Sequence, residues 1–121
     1  MNTLHLCGPF YKGTADNTVD LTITPLRDGS YVAQQYSEAA HYAHTLSGAQ
    51  PRIYSYTPTR PLRLLAWYHQ QTPPIPMSPN HPDAHAYARA HGYDGIAMDG
   101  QASGWHIIVL RPDIMGLATI V

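Results

Sequence analysis

The chain of 121 residues contains few of the residues that carry charge or form cross-links. A single cysteine, Cys7, excludes an internal disulfide and a zinc site built from several thiolates. Charged residues make up only 12% of the chain, about half of the ~25% typical of soluble domains. With a formal net charge of −1, the chain has no broad positive field to drive non-specific nucleic-acid binding.

Long apolar runs are also absent. Runs such as Ile107 to Leu110 fall far short of the ~20 residues that span a bilayer, so no membrane partner is predicted. No basic residue precedes an apolar stretch at the N-terminus, so no signal peptide is predicted and a cytoplasmic location is expected. Exported toxins can lack such a peptide, which leaves delivery as an effector open. The length and the 44% apolar content predict one globular domain over residues 1–121.

The pattern along the chain predicts an α+β fold, with a split or curved, mostly antiparallel sheet and two helices. A first helix is predicted from Ser37 to Leu46, since Tyr36, Ala39, Ala40, Ala43 and Leu46 follow helical spacing. A second helix is predicted from about Asp83 to His91, with Gly92 as its end. Five prolines between residues 72 and 82 predict an extended loop. The strand-like stretches lie within 3–12, 30–33, 52–56, 62–68, 96–98, 105–110 and 117–121, with partial alternation over 18–25.

Residues 29–43 read Gly-Ser-Tyr-Val-Ala-Gln-Gln-Tyr-Ser-Glu-Ala-Ala-His-Tyr-Ala, and Tyr-Lys-Gly-Thr stands upstream at 11–14. Together they resemble the ADP-ribosyltransferase superfamily, in particular its poly(ADP-ribose) polymerase-like and diphtheria-toxin-like branch. That branch has an aromatic-His-Gly-Ser/Thr strand end, a Gly-x-Tyr-Phe-Ala strand, and then a Ser and a second Tyr on the next helix. Residues 92–96 and the apolar strand before Pro112 resemble the tail of small bacterial or phage members. The resemblance spans roughly residues 6 to 115.

The resemblance implies a mono-ADP-ribosyltransferase that uses NAD as its substrate and needs no metal. Such an enzyme cleaves the nicotinamide–ribose bond and transfers ADP-ribose to a protein, a nucleic acid or a small molecule. It also implies a toxin or effector, with an antitoxin or immunity protein as a possible partner. The residues that the resemblance places in the NAD site are Lys12, Gly13, Thr14, Tyr31, Ala33, Ser37 and Tyr42.

The chemistry gives these residue types a reason, because cleavage passes through an oxocarbenium-like transition state. By resemblance, Tyr31 and Tyr42 sandwich the nicotinamide ring, which leaves as a flat group. The Gly13 backbone and the Ser37 hydroxyl hydrogen-bond the carboxamide, and glycine lets the ligand approach the backbone closely. Lys12 faces the adenosine ribose.

Each of these residues also has an ordinary structural interpretation, and the sequence leaves both open. Tyr31 and Tyr42 fit positions in a core, and Ser37 fits a helix N-cap. Lys12 fits a solvated strand end. Glu38 stands in the first turn of the predicted helix, where the helix dipole favours an acidic side chain, and no catalytic role is assigned to it.

Two positions depart from the pattern of the superfamily. Lys12 stands where the family has His or Arg. The family's catalytic glutamate lies at the start of the strand that precedes Pro112, and this chain has His106 there, or Trp105 if the turn differs by one residue. A neutral imidazole accepts a hydrogen bond but offers no negative charge, and its role depends on pH. The predicted catalytic residues are therefore His106, Tyr31 and Lys12.

Other functions remain open at this point. Asp99 and Gln101, just upstream, would supply an acceptor if their turn folds inward. Without the glutamate, the chain also fits a non-catalytic module that binds NAD or ADP-ribose. An RNA 2′-phosphotransferase-like enzyme, which relies on basic residues and histidine, and an NAD-hydrolysing enzyme are further alternatives.

Three histidines invite comparison with a metal site. His81, His85 and His91 bracket the second helix, and the first two have an i, i+4 spacing that suits zinc. However, His81 precedes Pro82 outside the helix, and no Glu-x-x-His pattern accompanies it, so no metal site is predicted. No local motif marks Cys7 as a nucleophile.

Overall fold

The computed structural model describes residues 3–14, 19–45, 51–67, 78–99 and 104–121. The strands are β1 (Thr3–Leu6), β2 (Phe10–Thr14), β3 (Ser30–Ala33), β4 (Arg52–Tyr56), β5 (Leu62–Trp67), β6 (Gly95–Asp99), β7 (Trp105–Val109) and β8 (Thr119–Ile120). The helices are α1 (Tyr36–Thr45), α2 (Pro82–Ala90) and α3 (Pro112–Met115). Over the described ranges, none of these helices has the length and apolar character needed to cross a membrane.

The strands form one curled sheet in the order β1-β5-β6-β7-β3-β2-β4-β8. Neighbouring strands run antiparallel except β5 and β6, which are parallel. Parallel neighbours need a long crossover connection, and α2 lies in the chain between these two strands. The predicted α+β class and the curved, mostly antiparallel sheet are confirmed.

Three details of the predicted element order are wrong. The stretch 3–12, predicted as one strand that runs into a turn, forms the two strands β1 and β2, and β2 continues through Thr14. The sequence predicts two helices, whereas the described residues contain three, because Pro112, predicted only to break the preceding strand, occupies the start of α3 while β7 itself ends at Val109. The fixed φ of proline suits that position, and its missing N–H costs nothing there. The partly alternating stretch 18–25 forms a turn in its described part, since the Asp20 carboxylate accepts hydrogen bonds from the Thr22 backbone N–H and hydroxyl.

Apolar side chains pack against both faces of the sheet. On one face the fully buried residues include Phe10, Tyr54 and Tyr56. On the other face Ile96 and Ile108 lie under the buried alanines of α2. Helix α1 packs on β2, β3 and β4. Its buried residues are Ala39 and Ala43.

An ion pair anchors the turn between α2 and β6. The Asp94 side chain is only 3% exposed and accepts hydrogen bonds from Arg60 Nη1 at 2.7 Å, Arg60 Nη2 at 2.9 Å and the Arg63 backbone N–H at 2.7 Å. Burial is the largest single effect and raises the pKa of Asp94. The hydrogen bonds from Arg60 and Arg63, together with the positive charges of Arg60 and Arg111, outweigh it, so this pKa lies below its usual value. The carboxylate therefore stabilises the folded chain in its charged form.

Candidate active site

The sheet is split between β2 and β3, which pair through Tyr11 and Ala33 alone. By contrast, β2 pairs with β4 along all of its five residues, and β3 pairs with β7 along all four of its own. Beyond Tyr11 and Ala33, the Lys12 side chain bridges the gap by donating a hydrogen bond from Nζ to the Tyr31 carbonyl oxygen at 3.1 Å. The two strands therefore separate over these residues.

A cavity of about 470 Å³ opens at this split, under α1. Its volume lies within the range of roughly 300–1,000 Å³ that is typical of sites for small molecules and cofactors. Three neighbouring strands and one helix contribute the lining residues, which are Tyr11, Lys12, Gly13, Tyr31, Val32, Ala33, Glu38, Ala39, His41, Tyr42 and His106.

The floor of the cavity is set by strand register. Ala33 pairs with Tyr11 on one side and with His106 on the other. Residues that are paired across strands project from the same face of a sheet, so a small side chain stands between two large ones. The methyl group of Ala33 leaves room that a larger residue would fill.

One face of α1 forms the wall. Glu38, His41 and Tyr42 follow the i, i+3, i+4 spacing that places residues on one side of a helix. Ser37 is rotated by about 100° from Glu38, and its side chain is exposed and does not line the cavity. Since α1 begins at Tyr36, Ser37 lies inside the helix and is not its N-cap.

Gly13 lies where α1 approaches β2 most closely. A Cβ atom at Gly13 would stand 3.0 Å from the Ala43 Cβ and would overlap the Ala39 carbonyl oxygen. The packing of the helix on the strand is therefore a sufficient physical reason for glycine at this position. Gly13 also lines the cavity, and its predicted contact with a ligand stays a prediction. Thr14 ends β2 and does not line the cavity.

The two tyrosines of the predicted sandwich are accessible. Tyr31 is 44% exposed and Tyr42 is 56% exposed, so the interpretation of this pair as core residues is wrong. Core tyrosines do occur in the chain, since Tyr54 and Tyr56 are fully buried. The Tyr31 hydroxyl donates a hydrogen bond to Asn80 Oδ1, and partial burial raises the pKa of Tyr31, which keeps this hydroxyl protonated as a donor.

A cation and a carboxylate share the cavity. Burial lowers the pKa of Lys12, because its ammonium group has lost part of its hydration. Glu38 Oε1 lies 3.7 Å from His106 Nε2, and the two side chains are 30% and 35% exposed. His106 Nε2 is itself buried and has no hydrogen-bond partner among the described residues.

Of the two predicted replacements for the family glutamate, the structure places His106 in the cavity lining, whereas Trp105 packs partly against the core. Asp99 is the last residue of β6, and its side chain is not described. Gln101 lies outside the described residues. The lining residues that the sequence did not select are Tyr11, Val32, Glu38, Ala39 and His41. The signal for Glu38 was its position four residues before Tyr42 on one helix.

Two of the three histidines around α2, His81 and His91, have local roles, whereas the buried Nε2 of His85 has no hydrogen-bond partner among the described residues. His81 caps the helix, since its Nδ1 accepts a hydrogen bond from the Asp83 backbone N–H at 3.1 Å. His91 stacks on Tyr87 with ring centroids 4.1 Å apart. Over the described ranges, no three His, Cys, Asp or Glu side chains are grouped so as to hold a metal ion. Cys7 is exposed.

No family model, curated protein or solved structure matches the chain. The functional argument consequently rests on the residues of the cavity and on their geometry.

Proposed function

We propose that the protein is an NAD-dependent mono-ADP-ribosyltransferase, with the cavity at the split between β2 and β3 as its NAD site. The observation that carries the proposal is the convergence of distant residues. Lys12, Tyr31, Tyr42 and His106 come from four different elements, and all of them line one cavity. The sequence resemblance selects the same four residues.

The residues that line the cavity suit both the nicotinamide and the ribose–phosphate parts of NAD. Accessible aromatic rings on β3 and α1 offer flat surfaces for nicotinamide, and stacking of this kind stabilises a complex by about 1–3 kcal/mol per ring. The partly dehydrated ammonium group of Lys12 favours polar oxygen atoms, such as ribose hydroxyls or phosphates. Glu38 adds negative charge, which stabilises the positive charge that develops on ribose during cleavage.

A module that binds NAD or ADP-ribose without cleaving it is the second candidate. It is favoured by His106, which occupies the start of β7 where the resemblance implies a glutamate. An NAD hydrolase and an RNA 2′-phosphotransferase-like enzyme use the same ligand, but the first uses water as the acceptor and the second removes a 2′-phosphate from RNA.

Nicotinamide release separates these functions. The protein is incubated with NAD alone, with candidate protein, nucleic-acid and small-molecule acceptors, and with a 2′-phosphorylated RNA. Release that requires an acceptor and labels it supports the transferase. Release with NAD alone indicates a hydrolase, release only with the 2′-phosphorylated RNA indicates a phosphotransferase, and calorimetric binding without release indicates a module.

An Ala33→Leu variant tests whether the cavity is the NAD site. Leucine would fill the floor between Tyr11 and His106, and we expect NAD binding and nicotinamide release to be lost while the circular-dichroism spectrum stays that of a folded protein. Leu117→Ala, which alters a 52% exposed side chain outside the cavity, is the control. A folded Ala33→Leu protein that retains full NAD affinity would show that NAD binds elsewhere.

A further inference from the structure

Glu38 is the one carboxylate among the described residues that line the cavity. It stands in the first turn of α1, where the helix dipole accounts for an acidic residue. The dipole does not account for its partner. The Glu38 carboxylate lies 3.7 Å from the imidazole of His106, which belongs to β7, so the two residues meet only in the folded chain.

A second histidine–carboxylate pair shows what a purely local contact looks like here. His81 Nδ1 and Asp83 Oδ2 lie 3.8 Å apart, and their side chains are 50% and 75% exposed. That His81 nitrogen already has a function, since it accepts the hydrogen bond that caps α2. In the Glu38–His106 pair, by contrast, the buried Nε2 has no hydrogen-bond partner in the described part of the chain, and both residues line the cavity.

We propose that Glu38 and His106 act together as the general base of the site, an assignment that rests on the proposed ADP-ribosyl transfer. The acceptor attacks C1′ of the nicotinamide ribose, and the bond from C1′ to the nicotinamide nitrogen breaks. Its electron pair neutralises the positive charge of that ring. The acceptor's proton passes to the Glu38 carboxylate, which is 30% exposed and lines the cavity. The buried His106 Nε2, 3.7 Å away, faces that carboxylate with its N–H and positions it.

The other polar groups around the cavity do not fill this role. Lys12 carries a positive charge and donates its hydrogen bond to the Tyr31 carbonyl oxygen. The raised pKa of Tyr31 keeps its phenol protonated. His41 is exposed on α1, and no ion pair with a carboxylate is found for it among the described residues. Among the described residues that line the cavity, Glu38 and His106 are the one pair in which a carboxylate faces a buried ring nitrogen.

Glu38→Gln tests the pair, because it removes the charge and preserves the shape of the side chain. We expect kcat for ADP-ribosyl transfer to fall by about 100-fold or more, the range of general-base catalysis. The Kd for NAD, measured by calorimetry, should change by less than about 3-fold. Glu38→Asp, which keeps the charge but shortens the side chain, should retain an intermediate kcat and serves as the second variant if Glu38→Gln folds poorly.

The double variant Glu38→Gln/His106→Ala distinguishes a pair from two independent residues. Groups that act as a unit are strongly non-additive, so the double variant should transfer ADP-ribose no more slowly than Glu38→Gln alone. Asp83→Asn is the matched control, since it removes a carboxylate at a similar distance from a histidine but outside the cavity. It should leave kcat unchanged.

Each outcome decides the proposal. Full turnover in folded Glu38→Gln, or losses that multiply in the double variant, would overturn the paired base and leave the transferase intact. A wild-type protein that binds no NAD, or binds it without transfer, would remove the proposed function and the base with it.

Discussion

Replacing Gly13 by alanine tests how closely α1 must approach β2 for the cavity to keep its shape. A Cβ atom at this position would stand 3.0 Å from Ala43 Cβ and would overlap the Ala39 carbonyl oxygen. The carbonyl belongs to the helix backbone, and the Ala43 methyl group has no alternative rotamer. No side-chain adjustment can relieve the contact, so the helix itself has to move.

The size of the displacement follows from the contact. Carbon atoms pack at about 3.5–4.0 Å, so the Ala43 contact alone requires α1 to recede by roughly 0.5–1 Å. Overpacking of this kind costs about 1–3 kcal/mol of unfolding free energy. Glu38 and Tyr42 move with the helix, and a displacement of about 1 Å at a reacting group can lower turnover by as much as ~100-fold.

Urea unfolding followed by circular dichroism measures the loss of stability, and nicotinamide release per folded molecule measures the loss of turnover. Gly95→Ala is the control, because a Cβ atom at Gly95 would also clash with backbone, at Ile108, and Gly95 does not line the cavity. It should destabilise the protein comparably and leave turnover of the folded fraction intact. Wild-type stability and turnover in Gly13→Ala would refute the argument that α1 packs so closely on β2 that no methyl group fits at Gly13.

Two further predictions concern the ligand and the ion pair. Tyr42→Ala should weaken NAD binding by about 1–3 kcal/mol, a typical stacking loss, with little change in the urea midpoint because Tyr42 is 56% exposed. Unchanged affinity, measured by calorimetry beside Leu117→Ala, would reject the sandwich. Asp94→Asn should lower the unfolding free energy by about 1.5–3 kcal/mol at neutral pH. Since the pKa of Asp94 is lowered by folding, this stabilisation is present above the unfolded-state pKa and is lost as pH falls through the folded-state pKa. Urea curves of both proteins should therefore converge in acid, and a gap that persists there would contradict the assignment.

Local sequence signals predicted most of the elements. The change from alternating to helical spacing after Ala33 marks the junction of β3 and α1, because both periods are properties of the chain over a few residues. Gly92 ends α2 as predicted, since its φ of 75° is one that glycine adopts readily. The short α3 was missed, because a proline that ends a strand and a proline that begins a helix look alike in sequence.

The sequence could not show the separation of β2 from β3. That split depends on β2 pairing fully with β4 and β3 pairing fully with β7, while Tyr11 and Ala33 form the one backbone pairing between β2 and β3. Such pairings join segments far apart in the chain, and no local pattern encodes their register. The split is nevertheless what opens the cavity.

The sequence by itself determined the chemical types and the local spacing of the site: Tyr31 on a strand, Glu38 and Tyr42 on the helix that follows, and a polar His106 at the start of an apolar strand. Tertiary structure alone decided which of these side chains meet. The local sequence explains Glu38 by the helix dipole alone. Its carboxylate lies 3.7 Å from His106 only because β7 pairs with β3, beside α1. The helix dipole acts within one turn, whereas the position of His106 relative to that turn depends on strand pairing across the whole sheet.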